Sequence, residues 1–128
     1  MIRYRYTTDE RLEKMLREQR LGRVIRWFAD QYFTHDWPTL HKGRVIVAEE
    51  DGRLVGFFRY CRSGSDLDAV GTWVLRARRR RGIARTMWAL ALRQTKNVFV
   101  TTTSRAGDGL VRYVTRTHKK VRVSHLRS

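Results

Sequence analysis

Four consecutive arginines, Arg78 to Arg81, run into Gly82-Ile83-Ala84 and join a strand-like segment to a helix-like one. The segment before them, Ala69-Val70-Gly71-Thr72-Trp73-Val74-Leu75, is rich in β-branched and apolar residues. The segment after them, Arg85 to Gln94, places Ile83, Met87, Leu90 and Ala91 on one face at helical spacing. A chain that turns from strand to helix through a glycine brings a helix N-terminus to the end of a sheet. Such a terminus exposes unpaired backbone N–H groups and the positive end of the helix dipole, and so attracts phosphate. Gly82 and the small Ala84 allow close approach to the backbone, and the arginines add formal charge. The pattern R-x-x-G-x-A is short, and its strand–loop–helix setting is what gives it meaning.

The rest of the chain supplies alternating elements. Ile2 to Tyr6 alternates apolar residues with Arg and predicts a half-buried strand. Thr7-Thr8-Asp9-Glu10 has the spacing of a capping box and predicts a helix start, with Leu12, Met15 and Leu16 as its apolar stripe up to Leu21-Gly22. A second helix is predicted from about Arg23 to Phe33, ended by the loop Thr34 to Thr39 before and around Pro38. Arg44 to Glu50 and Arg53 to Cys61 flank Asp51-Gly52, a hairpin signal. A strand over Leu67 to Leu75, a helix over 82–95, a strand over Asn97 to Thr103, a helix over Gly109 to Thr117 and a strand over Val121 to Leu126 complete the reading.

The order is β-α-α-β-β-β-α-β-α-β. Together with Val74-Leu75-Arg76-Ala77-Arg78-Arg79-Arg80-Arg81-Gly82-Ile83-Ala84, it resembles the GNAT N-acetyltransferase superfamily, whose coenzyme A signature is Q/R-x-x-G-x-G/A. The resemblance covers nearly the whole chain. It implies an α/β (α+β) acyl-CoA N-acyltransferase fold with a central mixed, mostly antiparallel sheet flanked by helices, as a single domain over residues 1–128. It further implies that Arg79, Arg80, Arg81, Gly82, Ile83, Ala84 and Arg85 form a cradle for the pyrophosphate of acetyl-CoA. The backbone of Trp73 and Val74 would lie along the pantetheine arm. Arg76 stands where the family commonly has proline, and Ala84 where glycine is more frequent. One final strand replaces the hairpin that the family often carries.

Acetyl transfer to an amine needs a deprotonated amine, a thioester held close by, and a proton for the leaving thiolate. Positioning does most of this, and a general base contributes about 10²–10⁴-fold. Counting back along the strand before the arginines, Asp68 falls where several members of the family place a catalytic glutamate. Asp68 equally suits an aspartate capping the turn after Ser63-Gly64-Ser65, and Asp66 is the other acid beside that strand. Glu49 and Glu50 abut the Asp51-Gly52 turn and suit a solvated hairpin tip. Tyr113 resembles the family's tyrosine that protonates the CoA sulfur, with Arg112 before it where the family has an apolar residue. Ser104 and Thr101 to Thr103 are candidates to line the cleft. His35, Asp36, Trp37 and His41 fall in the region that contributes to the acceptor pocket in the resembling family. Their spacing fits no standard metal-ligand set, and no metal is expected. His118 and His125 sit among basic residues and suit structural or surface roles.

Charge bounds the partners. The 128 residues carry 28 Lys/Arg against 12 acids, a net +16. Residues 69–128 hold 15 Lys/Arg and one acid, Asp108, whereas residues 1–68 hold 13 against 11. Such a half implies a polyanionic partner, whether CoA phosphates, nucleic acid or an acidic protein, or else a solvated face. CoA brings too few charges to account for the excess. The lone Cys61 excludes an internal disulfide, fits a reducing compartment, and suits a buried small hydrophobe better than a nucleophile. With no apolar run of membrane length and no signal-peptide pattern, the chain reads as a soluble cytoplasmic protein.

Two functions compete at this level. One is an acetyl-CoA-dependent N-acetyltransferase working by direct transfer in a ternary complex, with a protein amine, a small amine or an aminoacyl-tRNA as acceptor. The other is a non-catalytic module of the same fold, phage-encoded as some short relatives are, that holds nucleic acid or an acidic protein with its basic half.

Overall fold

The structure is a computed structural model that describes residues 1–24, 43–102 and 104–127, with Arg127 described in its backbone alone. Strand β1 (Ile2–Thr8) leads into helix α1 (Asp9–Glu18), and strands β2 (Gly43–Glu50), β3 (Arg53–Ser63) and β4 (Asp66–Val74) follow. A short 3₁₀ turn (Arg76–Arg78) precedes helix α2 (Ile83–Ala91), then come β5 (Asn97–Thr102), helix α3 (Arg105–Thr117) and β6 (Arg122–Arg127). Gly22–Val24 have helical backbone where the second helix is expected. The rest of that helix lies outside the described residues, as do His35, Asp36, Trp37 and His41.

The six strands form one sheet in chain order, β1 to β6. The pairings β1–β2, β2–β3 and β3–β4 are antiparallel, and β4–β5 and β5–β6 are parallel. This is the mixed, mostly antiparallel sheet flanked by helices that the family resemblance implies. The β2–β3 hairpin turns on Asp51 (φ 52°) and Gly52 (φ 77°), both left-handed, as a two-residue turn between right-twisted strands requires. Thr8, rather than Thr7, caps α1: its side chain accepts from the Arg11 N–H at 3.3 Å. β1 stays paired to β2 through Thr8, so the helix starts one residue later than the Thr7–Glu10 spacing suggests.

Two apolar layers cover the two faces. On one, Leu12 and Leu16 of α1, one turn apart, pack against Val45, Val47, Leu54 and Phe57. On the other, Ile83, Met87, Trp88 and Ala91 of α2 join Val111 and Val114 of α3 over Ile46, Phe58, Leu67, Val98 and Val100. Trp88 stacks on Phe58, with centroids 4.6 Å apart, and donates to Thr72 Oγ1 at 2.9 Å. Gly56 lets α2 sit close to β3: a Cβ there would lie 3.1 Å from the Trp73 carbonyl oxygen and 3.2 Å from Ile83 Cγ2. At the far end of α2, the Arg62 guanidinium donates to the carbonyls of Ala91 and Arg93 and to Thr95 Oγ1, a cation placed at the negative end of the helix dipole. Both ends of α2 are thereby fixed against the sheet.

Candidate active site

The sheet opens between its two central parallel strands. β4 and β5 pair from Asp66–Asn97 to Ala69–Val100, after which β4 continues beside β3 and β5 beside β6. At the point of separation Arg59 faces Gly71 and Tyr60 faces Ala69, so β4 carries one extra residue, Val70. A bulge of this kind inverts the side-chain alternation. Leu67 and Ala69 belong to the α2 face before it; Thr72 and Val74 belong to that face after it, and Trp73 packs on the α1 face against Phe57. Ligands of open parallel sheets bind at the carboxyl ends of the strands, where neighbours part. The gap between β4 and β5 is such a place.

At that end the loop 79–82 turns into α2. Arg80 (φ 66°) and Gly82 (φ 76°) are both left-handed, and Gly82 is the N-cap of α2 with no side-chain cap hydrogen bond. Helices α1 and α3 differ, since Thr8 caps α1 and Ser104 caps α3 through the Gly107 N–H at 3.0 Å. No acid lies in the first turn of α2. A Cβ on Gly82 would meet no atom within 4 Å, so the space beside the N-cap is open. Arg80, Arg81 and Arg85 are exposed. Arg79 folds back, donating from Nε to the Val74 carbonyl at 3.1 Å, which ties the loop to the strand. Arg78 is bound to Glu50 at 2.8 Å, anchoring the 3₁₀ turn to the hairpin. The arginine run therefore divides into two anchors, Arg78 and Arg79, and two outward cations, Arg80 and Arg81. The residues present suit a diphosphate group, with uncapped amides, a glycine whose missing side chain leaves the approach clear, and unpaired guanidinium charge.

Tyr113 and Asp68 lie on opposite faces of the sheet. Tyr113, half-buried on α3, lies beneath the Arg85 guanidinium, 3.9 Å from its ring centroid. That stacking brings the tyrosine beside the first turn of α2. Asp68 pairs with Phe99 one residue before β4 and β5 separate, and faces the α1 side because Leu67 next to it faces α2. Around it on that face are Cys61 and Asp9, which forms a bidentate pair with the buried Arg59 at 2.9 and 3.2 Å. Glu49 and Glu50, beside the hairpin tip, are held in ion pairs with Arg5 and Arg78.

Cys61 is buried, and burial pushes its thiol up to about 11, with the Asp9 and Asp68 carboxylates adding to the effect and Arg59 opposing it. A thiol raised by two units holds about a hundredfold less thiolate at neutral pH than an ordinary one. Alkylation by iodoacetamide at pH 8 is therefore expected to be at least about a hundredfold slower in the folded chain than in the urea-unfolded chain. Equal rates would place a reactive thiol here and overturn its reading as a packed small side chain.

The sequence reading missed one polar cluster. Thr102, at the end of β5, donates to the buried Asp108 carboxylate of α3 and lies 2.7 Å from His125 Nε2 on β6. The cluster ties two strands and a helix together beside the gap, and gives His125 the structural role its surroundings suggested. Ser104 serves as the α3 cap; that use starts the helix at Arg105, four residues before the predicted Gly109. Its signal was the Ser104-to-Asp108 stretch, a capping residue followed by an acid in the first turn.

The family model for the GNAT acetyltransferases matches residues 10–115. No curated protein sequence matches the chain. Among solved structures, it is similar to the PaiA N-acetyltransferase from Thermoplasma acidophilum in complex with coenzyme A, with a TM-score of 0.59 at 14% identity over 88% of this chain and 87% of that one. It is similar to a ribosomal-protein-alanine N-acetyltransferase from Brucella melitensis, with a TM-score of 0.57 at 14% identity over 91% and 90%. It is also similar to AAC(6')-Iy in complex with a CoA-linked acetylneamine bisubstrate analogue, with a TM-score of 0.54 at 18% identity over 91% and 88%. At these identities the likeness is one of fold.

Proposed function

The chain belongs to the GNAT acetyltransferase family, and on that premise we propose that it is an acetyl-CoA-dependent N-acetyltransferase, a single domain that transfers an acetyl group directly to an amine in a ternary complex. One observation carries the reading: the start of α2 at Gly82, without a side-chain cap and flanked by the exposed Arg80 and Arg81, stands beside Gly56 and the end of β4, beyond the point where β4 parts from β5. The amides of Ile83, Ala84 and Arg85, with Arg79 holding the loop to Val74, bind the diphosphate. The β4 backbone at Trp73 and Val74 guides the arm toward the gap. Acetyl-CoA supplies the activated thioester. Tyr113, beside the first turn of α2, holds the proton for the sulfur, and Asp68, on the other face, takes a proton from the acceptor ammonium.

The acceptor is an amine on a protein, a small molecule or an aminoacyl-tRNA. The solved neighbours named for ribosomal-protein alanine and for acetylneamine support amine chemistry across this fold without choosing among these. The lone, buried Cys61 fits a reducing, cytoplasmic setting, and among the described residues no helix is long and apolar enough to cross a membrane.

Calorimetric titration with acetyl-CoA, at low and moderate salt on protein stripped of nucleic acid, tests the cofactor site. Saturable one-to-one binding that survives moderate salt is expected. Absence of saturable binding would favour the non-catalytic module, for which the acid-poor second half of the chain speaks. For the base, Asp68→Asn is expected to flatten the rise of rate with pH and to lower the rate about 10²–10⁴-fold at saturating acetyl-CoA. An unchanged pH profile would remove Asp68 from the mechanism.

A further inference from the structure

Beyond the cradle, the second half of the chain presents a surface almost without carboxylates. Its one acid, Asp108, is 6% exposed and engaged with Thr102 and His125. The ion pairs of the molecule mostly draw on acids of the first half: Glu13, Glu18, Glu49, Glu50 and Asp9. Beyond Arg78, no Lys or Arg side chain of the described residues takes part in an ion pair.

Three of these cations form a line. Arg105, Arg112 and Arg116 are exposed on α3, seven and four residues apart. At about 100° per residue they fall within roughly 40° of one another around the helix axis. Val114, fully buried in the core, points the opposite way. At about 1.5 Å per residue the line is roughly 16 Å long. Exposed Lys119 and Lys120 extend it past the end of the helix.

We propose that this stripe on the outer face of α3, continued by Lys119 and Lys120, is a docking surface for the phosphodiester backbone of a nucleic acid. Charge complementarity selects the occupant. A guanidinium presents a planar fork of donors that fits phosphate oxygens, and the line on α3 is built from arginine throughout. Protein partners are held by buried apolar anchors at the centre of an interface, and membrane-surface helices by an apolar face. The large exposed apolar side chains among the described residues are Met1, Tyr6, Phe99 and Leu126, and none lies on α3. A backbone contact needs no such anchor. The surface stands independently of cofactor binding, because it shares no residue with the cradle.

The test is fluorescence anisotropy of the full chain with a labelled mixed-sequence DNA duplex and, separately, a labelled RNA hairpin, across a salt series. Binding should weaken steeply with salt. The triple variant Arg105→Gln, Arg112→Gln, Arg116→Gln should weaken it and lower the slope of log K against log salt by about 3 on the duplex. A control, Arg11→Gln, Lys14→Gln, Arg17→Gln, removes the same formal charge from α1 and should leave the slope unchanged. Glutamine is a good helix former, so both triples should keep the parent far-ultraviolet spectrum. Tighter binding of the RNA hairpin than of the duplex would identify RNA as the source of the phosphates, and equal binding a generic backbone; both support the surface. The proposal is overturned if neither probe binds, if the α3 triple keeps the parent slope, or if the α1 triple loses as much. It is also overturned if polyglutamate displaces the labelled duplex better than an unlabelled duplex does.

Discussion

Replacing Gly82 by valine is expected to abolish saturable acetyl-CoA binding while the chain stays folded. Gly82 has φ 76° and no neighbour within 4 Å of where a Cβ would stand, so the added side chain strikes no part of the protein. What it meets is conformational strain. A left-handed L-residue costs about 1–2 kcal/mol, and more when β-branched. The loop can relieve that strain by rotating residue 82 out of the left-handed region. Rotation re-aims the amides of Ile83 and Ala84, and the new methyl groups occupy the approach that a diphosphate would use. The body of α2 should hold, because Ile83, Met87, Trp88 and Ala91 are buried against the sheet. Thermal melting should therefore fall by only about 3–10 °C, as a loss of 1–2 kcal/mol implies for a domain of this size. Calorimetry and a melt on the same sample separate the two effects. A variant that binds within threefold of the parent would show that the ligand does not use this helix start, whatever else the chain does.

How much of this was legible in the sequence depended on the range of each interaction. The hairpin at Asp51-Gly52 was readable because two left-handed positions need residues of that kind in sequence order. The arginine–glycine turn was readable for the same local reason, and so were the strands on either side. Boundaries slipped where a neighbour competed: α1 starts at Asp9 because β1 holds Thr8 in its ladder, and α3 starts at Arg105 because Ser104 is free to cap. The helix predicted over 82–95 stops at Ala91, where Arg62 from β3 gathers its last carbonyls. The division of the arginine run into anchors and outward cations was not readable. It depends on Glu50 and the Val74 carbonyl reaching Arg78 and Arg79 from other elements. The bulge at Val70, which sets the faces of Asp68 and Trp73, likewise appears only in the register of β3 against β4. Family resemblance supplied Asp68 and Tyr113 as candidates; the structure adds that they stand on opposite faces of the sheet.

The pair that no local pattern disclosed is Asp9 with Arg59, fifty residues apart, and it carries the largest expected loss of stability. Arg59 is 3% exposed in an inner strand of the antiparallel part of the sheet, and its guanidinium donates to both oxygens of Asp9. Asp9 lies so close to β2 that a Cβ on Gly43 would be 2.5 Å from its Oδ2, so the carboxylate fits only above a glycine. Asp9→Ala takes a bidentate counterion from a buried cation, a change that costs about 3–5 kcal/mol where it has been measured. Against a total stability of about 5–15 kcal/mol, that is a large fraction. Asp9→Asn should cost less, since it keeps the shape and can still accept a hydrogen bond. The sharper test is the double variant Asp9→Ala, Arg59→Met. Removing the charge together with its partner leaves an apolar side chain where a guanidinium was buried, so the double variant should unfold at higher urea than Asp9→Ala alone. A double variant less stable than the single would show that Arg59 is held mainly by other groups, and that the carboxylate of α1 is not what fixes this helix over the face that carries Asp68.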